Sequence, residues 1–169
     1  ELKVAKLIHI SAVGVDKQAG SLYSSAKAKG EDKLREKFVN AAIVRPSLIF
    51  GHEDRFFNRY ASLATYSPFL PLIGKSTKFQ PVYVDDVALA IEKIATEKDL
   101  IGIFELGGPE ILTFEKIIKK MLFVIRRNRL IFSIPFSIAN LMATVFELTN
   151  NVSFGLLPLP FSKDNVQQL

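Results

Sequence analysis

The sequence has 169 residues, of which 49% are hydrophobic and 23% are charged, so its size and composition are those of one folded globular domain. It has no cysteine and two histidines, which excludes disulfide frameworks, thiolate zinc and iron–sulfur sites, cysteine nucleophiles and a histidine-rich metal site. The formal net charge is +5, and most basic residues are interleaved with acidic ones, as in residues 27–33, which predicts solvated helix faces.

The first predicted elements alternate between strand and helix. Residues 4–10 form a short apolar run that predicts a buried strand, and residues 21–38 predict a helix with a few apolar side chains among many charges. A second buried strand is predicted over 41–44 and a second helix over 56–66. The segment 67–75 is rich in proline, leucine and glycine and predicts a loop.

The same alternation continues further along the chain. A short strand is predicted over 81–84, followed by a helix over 86–97 for which Asp85 is the predicted N-cap. Another short strand is predicted over 103–106, and Thr113 is the predicted N-cap of the next helix. Short buried strands that alternate with amphipathic helices predict an α/β fold with a parallel sheet.

A long uncharged run lies near the end of the chain, over residues 130–146. It is shorter than the roughly 20 residues that span a bilayer, and it predicts a helix that begins at Pro135 and packs on the domain. Because three arginines directly precede the run, a peripheral contact with an anionic membrane surface through residues 126–146 is the alternative. No aromatic stacking platform accompanies these arginines, so nucleic acid is not a predicted partner.

Polar side chains are predicted to meet at one edge of the sheet. Tyr23 and Lys27 share a helix face, and an ammonium close to a phenol favours the phenolate that acid–base chemistry uses. By itself this pair also fits a simple surface contact. Ser11 ends the first strand, however, and the segment 46–51 follows the second strand. Ligands bind beyond the carboxyl ends of the strands in open α/β sheets, so these residues together predict a binding site.

With Ser11, Tyr23 and Lys27 in this order, the sequence resembles the extended, epimerase-like form of the short-chain dehydrogenase/reductase superfamily. The resemblance implies that Tyr23 is the catalytic acid/base, that Lys27 favours its ionised form and holds the nicotinamide ribose, and that Ser11 orients the substrate. No metal is implied. The positions that match the family's cofactor-binding residues are Tyr23, Lys27, Pro46, Ser47 and Phe50.

The resemblance extends over nearly the whole chain but only over the second half of the family's domain. It implies the C-terminal part of a Rossmann-like, doubly wound parallel sheet over residues 1–110, with inserted cap segments, and a small C-terminal α/β cap region over 111–169. The glycine-rich N-terminal half is absent, and the chain begins with Glu1, so we expect a piece of a longer protein. The full-length protein would bind NAD or NADP(H), and this piece alone would bind neither.

Three further stretches, residues 52–58, 79–84 and 104–109, resemble the nucleotide-binding accessory subunit of respiratory complex I and its bacterial relatives. This resemblance implies a dinucleotide and the subunits of complex I as partners. It implies a location in the bacterial cytoplasm, peripheral to the inner membrane, or on the matrix side of the mitochondrial membrane.

Two other functions remain open from the sequence. An active NAD(P)-dependent reductase, epimerase or dehydratase would use the Ser11, Tyr23 and Lys27 set, with a sugar nucleotide as one candidate substrate. Epimerases of this kind carry an arginine for the substrate diphosphate where this chain has Phe79, which weakens the sugar-nucleotide reading. A membrane-surface protein that keeps the fold without its cofactor is the third possibility.

Overall fold

The computed structural model describes residues 4–18, 20–139 and 141. The chain divides into two compact units. The first unit comprises the residues up to 56 together with 79–112, and the second comprises residues 57–78 together with the residues from 113 onward. The elements in chain order are β1 (Leu7–Ile10), α1 (Leu22–Lys37), β2 (Ala41–Pro46), β3 (Ile49–Phe50), α2 (Arg55–Tyr66), β4 (Phe69–Ile73), β5 (Lys78–Phe79), β6 (Val82–Tyr83), α3 (Val84–Thr96), β7 (Gly102–Leu106), β8 (Leu112–Thr113), α4 (Phe114–Val124) and β9 (Leu130–Ile134).

The first unit is built on a parallel sheet with the strand order β1-β2-β7. The central strand β2 begins with four buried apolar residues, 41–44, because helices or strands cover a parallel sheet on every side. Ala42 and Val44 pack with Ile94 of α3 in one hydrophobic cluster. Since β1 and β2 are parallel, the chain must return between them, and α1 makes that crossover. The predicted α/β class with a parallel sheet is confirmed.

Helix α1 begins at the N-cap Ser21, whose Oγ accepts a hydrogen bond from the backbone N–H of Ser24 at 3.3 Å. The prediction that residues 27–33 form a solvated face is wrong at two positions, because Ala28 and Glu31 are buried. Glu31 forms an ion pair with Arg45 of β2, and that partner explains how a charged residue is accommodated on the inner face of the helix.

The predicted N-caps of the third and fourth helices have different outcomes. Asp85 is not a cap, because β6 ends earlier than predicted and α3 already begins at Val84. Asp85 therefore lies in the first turn, where a carboxylate interacts favourably with the positive end of the helix dipole. Thr113 is confirmed as the N-cap of α4, since its hydroxyl accepts a hydrogen bond from the backbone N–H of Lys116 at 3.3 Å.

The second unit contains a parallel two-stranded ladder that the sequence did not predict. β4 pairs with β9 from Phe69 opposite Leu130 to Ile73 opposite Ile134, so the predicted loop over 67–75 is wrong. The five-residue run of β4 is too short to have a clear period, and only the tertiary pairing supplies its hydrogen bonds. Pro71 is compatible with the ladder because a strand paired on one side needs N–H groups only on that side.

The uncharged run over 130–146 is a strand in its first five residues, where no strand was predicted. Residues 136–139 and 141 are helical, so the predicted helix begins directly after Pro135. The rest of that predicted helix, to about residue 149, lies outside the described residues. Within the described ranges, no helix has both the length and the apolar character to cross a bilayer.

The stretches 79–84 and 104–109, two of the three that resemble the complex I subunit, pack against each other in the first unit. The side chain of Gln80 donates a hydrogen bond from Nε2 to the carbonyl oxygen of Gly108 at 2.6 Å, and the N–H of Gly108 donates to the carbonyl oxygen of Gln80 at 3.3 Å. A Cβ atom at position 108 would lie 1.8 Å from the carbonyl oxygen of Pro81. Gly108 is therefore required by this close backbone approach.

We predict that Gly108→Ala destabilises the protein by about 1–3 kcal/mol, because the new methyl group can be accommodated only by moving the backbone at Pro81. Urea denaturation of both proteins measures the difference. Gly30→Ala is the matched control: its added Cβ would contact nothing within 4 Å, and alanine in a helix interior should raise the stability by about 0.5–1 kcal/mol. Equal effects of the two substitutions would contradict this account of Gly108.

Candidate functional site

The carboxyl ends of the three parallel strands lie side by side, as the sequence predicted. The N–H of Ser11, directly after β1, donates to the carbonyl oxygen of Val44 at 2.7 Å. The N–H of Ser47, directly after β2, donates to the carbonyl oxygen of Leu106 at 2.8 Å. These hydrogen bonds extend the ladder by one residue beyond each strand and bring the polar residues to one edge.

Helix α1 brings Tyr23 and Lys27 to the end of β1. The ammonium of Lys27 donates a hydrogen bond to the carbonyl oxygen of Ile10 at 2.9 Å, and its Nζ lies 5.9 Å from the centroid of the Tyr23 ring. The side chain of Tyr23 is 45% exposed and is therefore accessible to a ligand. The predicted Tyr–Lys pair is thus present at the predicted edge, with the lysine held by the backbone of the strand.

The segment after β2 supplies the remaining predicted cofactor-binding positions. Pro46 is the buried last residue of β2, and Ser47 is half-buried after it. Phe50 lies in β3, which pairs in parallel with β6, and its ring centroid lies 5.5 Å from that of Tyr83. The segment therefore offers a hydroxyl group and an aromatic surface beyond the end of β2.

Ser11 differs from the other predicted residues in its accessibility. The residue is 4% exposed, and its Oγ is buried without a hydrogen bond of good geometry to any described residue. The hydroxyl is nevertheless close enough to the carboxylate of Glu31 to contribute to lowering the pKa of that group. At the surface beyond β1 lies Val13, which is 46% exposed and whose N–H donates to the carbonyl oxygen of Pro46 at 3.1 Å.

A buried ion pair that the sequence did not predict lies beneath the edge. Arg45 donates two hydrogen bonds to Glu31, from Nε to Oε1 at 3.0 Å and from Nη2 to Oε2 at 2.6 Å, and a third bond reaches Glu105 at 3.3 Å. Burial alone would raise the pKa of Glu31, but the hydrogen bonds from Arg45 and Ser11 together with the positive charges of Arg45 and Arg35 outweigh it and hold that pKa below its usual value. The feature of the sequence that could have indicated this ion pair is Arg45 itself, a single charged residue in the otherwise apolar strand β2.

The described residues do not form a candidate metal-binding site. Among the residues that the structure describes, no group of three or more histidine, aspartate or glutamate side chains could hold a metal ion. What the arrangement offers is a set of hydrogen-bond donors and an aromatic ring at a sheet edge, which suits a polar organic ligand with a flat ring.

Sequence comparison finds relatives among the subunits of respiratory complex I. The chain is 36% identical over 98% of its length to NADH dehydrogenase [ubiquinone] 1 alpha subcomplex subunit 9, mitochondrial, of Arabidopsis thaliana, and 33% identical over 88% of its length to the mouse subunit of the same name. It spans 42% and 40% of these two proteins, so well under half of each relative is represented. A ceramide reductase of Caulobacter vibrioides is 29% identical over 61% of the chain and 32% of the reductase. No protein-family model matches the chain.

Solved structures show the same fold. A dTDP-4-dehydrorhamnose reductase of Clostridium acetobutylicum matches 77% of this chain and 50% of its own, with 18% identity and a TM-score of 0.68. A UDP-glucuronic acid 4-epimerase of Bacillus cereus, solved with UDP-glucuronic acid and NAD, matches 80% of this chain and 50% of its own, with 21% identity and a TM-score of 0.65. The predicted resemblance to subunits of complex I is therefore confirmed as a similarity to the part of those subunits that the chain spans, and the predicted Rossmann-like fold is confirmed.

We predict that Glu31→Gln destabilises the protein by about 3 kcal/mol, because it leaves the guanidinium of Arg45 without its main counter-charge in a largely buried place. Urea denaturation near neutral pH measures the loss. Glu36→Gln is the matched control, since Glu36 is an exposed residue of the same helix, and its effect should stay within about 0.5 kcal/mol. A loss no larger than that of the control would contradict the role of the pair.

The same pair predicts a pH dependence. The pKa of Glu31 in the folded protein is lower than its ordinary value of 4.5, so the ionised carboxylate stabilises the fold above that pH. The stability is lost as the pH falls through the lower, folded-state pKa. The difference in unfolding free energy between the wild type and Glu31→Gln should therefore be constant above pH 4.5 and shrink below it. A difference that does not change in acid would refute this assignment.

Proposed function

We propose that this chain is part of a dinucleotide-binding accessory subunit of respiratory complex I. In this proposal the sheet edge holds the nicotinamide–ribose end of NAD or NADP(H), and the bound cofactor stabilises a fold that associates with other subunits of the complex. The similarity to the Arabidopsis and mouse alpha subcomplex subunits supports the association. Their names say that these relatives are mitochondrial. In this proposal the protein lies on the matrix side of the mitochondrial membrane, or at the cytoplasmic face of the inner membrane in a bacterium.

The described residues suit one end of a dinucleotide. Lys27 and Tyr23 offer an ammonium and a phenol to ribose hydroxyls at the end of β1, and Ser47 and Phe50 offer a hydroxyl and a ring face beyond β2. A dinucleotide supplies hydride-transfer chemistry when it is bound. The sequence has no Gly-x-Gly-x-x-Gly turn for a pyrophosphate, so these residues account for the nicotinamide–ribose end alone.

The observation that carries the proposal is the burial of the Ser11 hydroxyl. A substrate carbonyl at this edge needs a donor that reaches it, but the Ser11 Oγ lies beneath the surface beside Glu31. Val13, two residues further on, is exposed and apolar. An edge with an accessible Tyr–Lys pair and a buried serine is suited to holding a cofactor more than to turning over a substrate.

We predict that Lys27→Met removes at least about half of the thermal stabilisation that NADPH gives to the complete protein. A ligand at about 100 times its Kd stabilises a protein by about 2.7 kcal/mol, and loss of the ribose contact should reduce the affinity by at least about tenfold. The melting temperature is measured with and without NADPH for each variant. Lys29→Met is the matched control, because Lys29 is exposed on the same helix and should leave the shift unchanged. Equal shifts in both variants would contradict the proposed site.

A second candidate function is an active NAD(P)-dependent reductase, epimerase or dehydratase. The similarity to a ceramide reductase and the 5.9 Å approach of Lys27 to the Tyr23 ring favour it. Here Tyr23 would transfer the proton and Ser11 would orient the substrate. This function would be established if the wild type turns over a substrate and Tyr23→Phe does not, while NADPH still raises the melting temperature of the variant. Tightly bound nucleotide without turnover in the wild type would support the accessory role.

A further inference from the structure

The end of helix α4 has a geometry that usually requires glycine. The N–H of Arg126 donates to the carbonyl oxygen of Phe123 at 3.1 Å, and the N–H of Arg127 donates to that of Leu122 at 2.9 Å. This pair of bonds defines a Schellman turn, in which the first residue beyond the cap takes a left-handed conformation. Arg126 occupies that position, with a φ of 52°.

An arginine is an unfavourable choice for this position. Glycine adopts positive φ without steric cost, whereas a side chain with a Cβ is strained there. Within the described residues, Arg126 is the one non-glycine residue with positive φ. A glycine would therefore form this turn without the strain that Arg126 carries.

The turn exposes large apolar side chains beside the arginines. Phe123 is 84% exposed and Val124 is 76% exposed, although Met121 and Leu122 immediately before them are buried. An aromatic ring and a branched aliphatic side chain with this exposure have almost no contact with the other described residues of the unit. They therefore form an apolar tip at the end of the helix.

Positive charge surrounds this tip. Lys116 and Lys120 are exposed on the helix face that also carries Phe123, since the spacings of three, four and seven residues repeat on one face. Arg126 and Arg127 are exposed directly beyond the helix. The segment from 116 to 129 contains six basic and no acidic residues, and Glu115, directly before it, forms an ion pair with Lys119.

We propose that this tip, Phe123–Val124 with Arg126 and Arg127, binds the surface of an anionic lipid bilayer. Phe123 and Val124 would enter the boundary between the headgroups and the acyl chains, and the two guanidinium groups would bind lipid phosphates. The long stems of arginine side chains allow the charged group to remain in water while the apolar tip enters. A bilayer supplies both the apolar layer and the anions that this combination of exposed groups matches.

The complete protein is tested by co-sedimentation with phosphatidylcholine vesicles with and without phosphatidylglycerol. The key variant is Arg126→Gly, because glycine relieves the strain of the turn and so should not lower the melting temperature. Its affinity for the anionic vesicles should fall about fivefold, and that of Arg126→Gln/Arg127→Gln about 30-fold, because each charge removed weakens binding by about the same factor. Phe123→Ser/Val124→Ser should lose binding to the same vesicles.

Matched controls come from the first unit. Lys29→Gln/Lys33→Gln removes two exposed charges, and Val39→Ser removes an apolar side chain that is 88% exposed, so both should bind like the wild type. Equal binding to neutral and anionic vesicles, or binding that the variants at 123–127 do not alter, would overturn the proposal. It would also be overturned if the wild type binds no vesicles and the same variants instead release a protein subunit from the complex.

Discussion

The ion pair between Glu31 and Arg45 is the interaction on which the geometry of the sheet edge depends. It joins the inner face of α1 to the central strand β2 through two hydrogen bonds from one guanidinium group. Removing two charges from water is costly, and an apolar pair of similar volume would pack there at a lower cost. The benefit of the ionic pair is directional, because a bidentate contact between carboxylate and guanidinium groups accepts only one relative position of helix and strand.

That position determines what the edge presents to a ligand. Lys27 and Tyr23 precede Glu31 by one and two helical turns on the same face, so a helix held at Glu31 also holds Lys27 against the carbonyl oxygen of Ile10. The same carboxylate lies beside the buried hydroxyl of Ser11. The helix that carries the accessible Tyr–Lys pair is thus held at a carboxylate that lies beside the buried serine, and the proposed cofactor-binding role rests on this difference in accessibility.

Much of the fold and of the site could be predicted from the sequence, and the failures share a cause. The strands of the central sheet and the pairing of Tyr23 with Lys27 follow from apolar runs and from helical spacing. The strand at Phe69–Ile73 was missed because its short apolar run has no period of its own, and its hydrogen-bond partner is 61 residues away in the chain. Glu31 was taken for a solvated charge because its partner, Arg45, lies on another element.

The sequence by itself determined the parallel α/β class, the resemblance to complex I subunits and the set of residues at the carboxyl edge, because periodicity, capping and motif spacing are local properties of the chain. Only the tertiary structure decided which of those side chains are accessible. Burial of the Ser11 hydroxyl, exposure of Phe123 and the left-handed backbone of Arg126 each depend on what packs around the residue, and no local pattern encodes that. The residues that meet at the sheet edge were therefore predictable, whereas their accessibility, on which the proposed choice between binding and catalysis depends, was not.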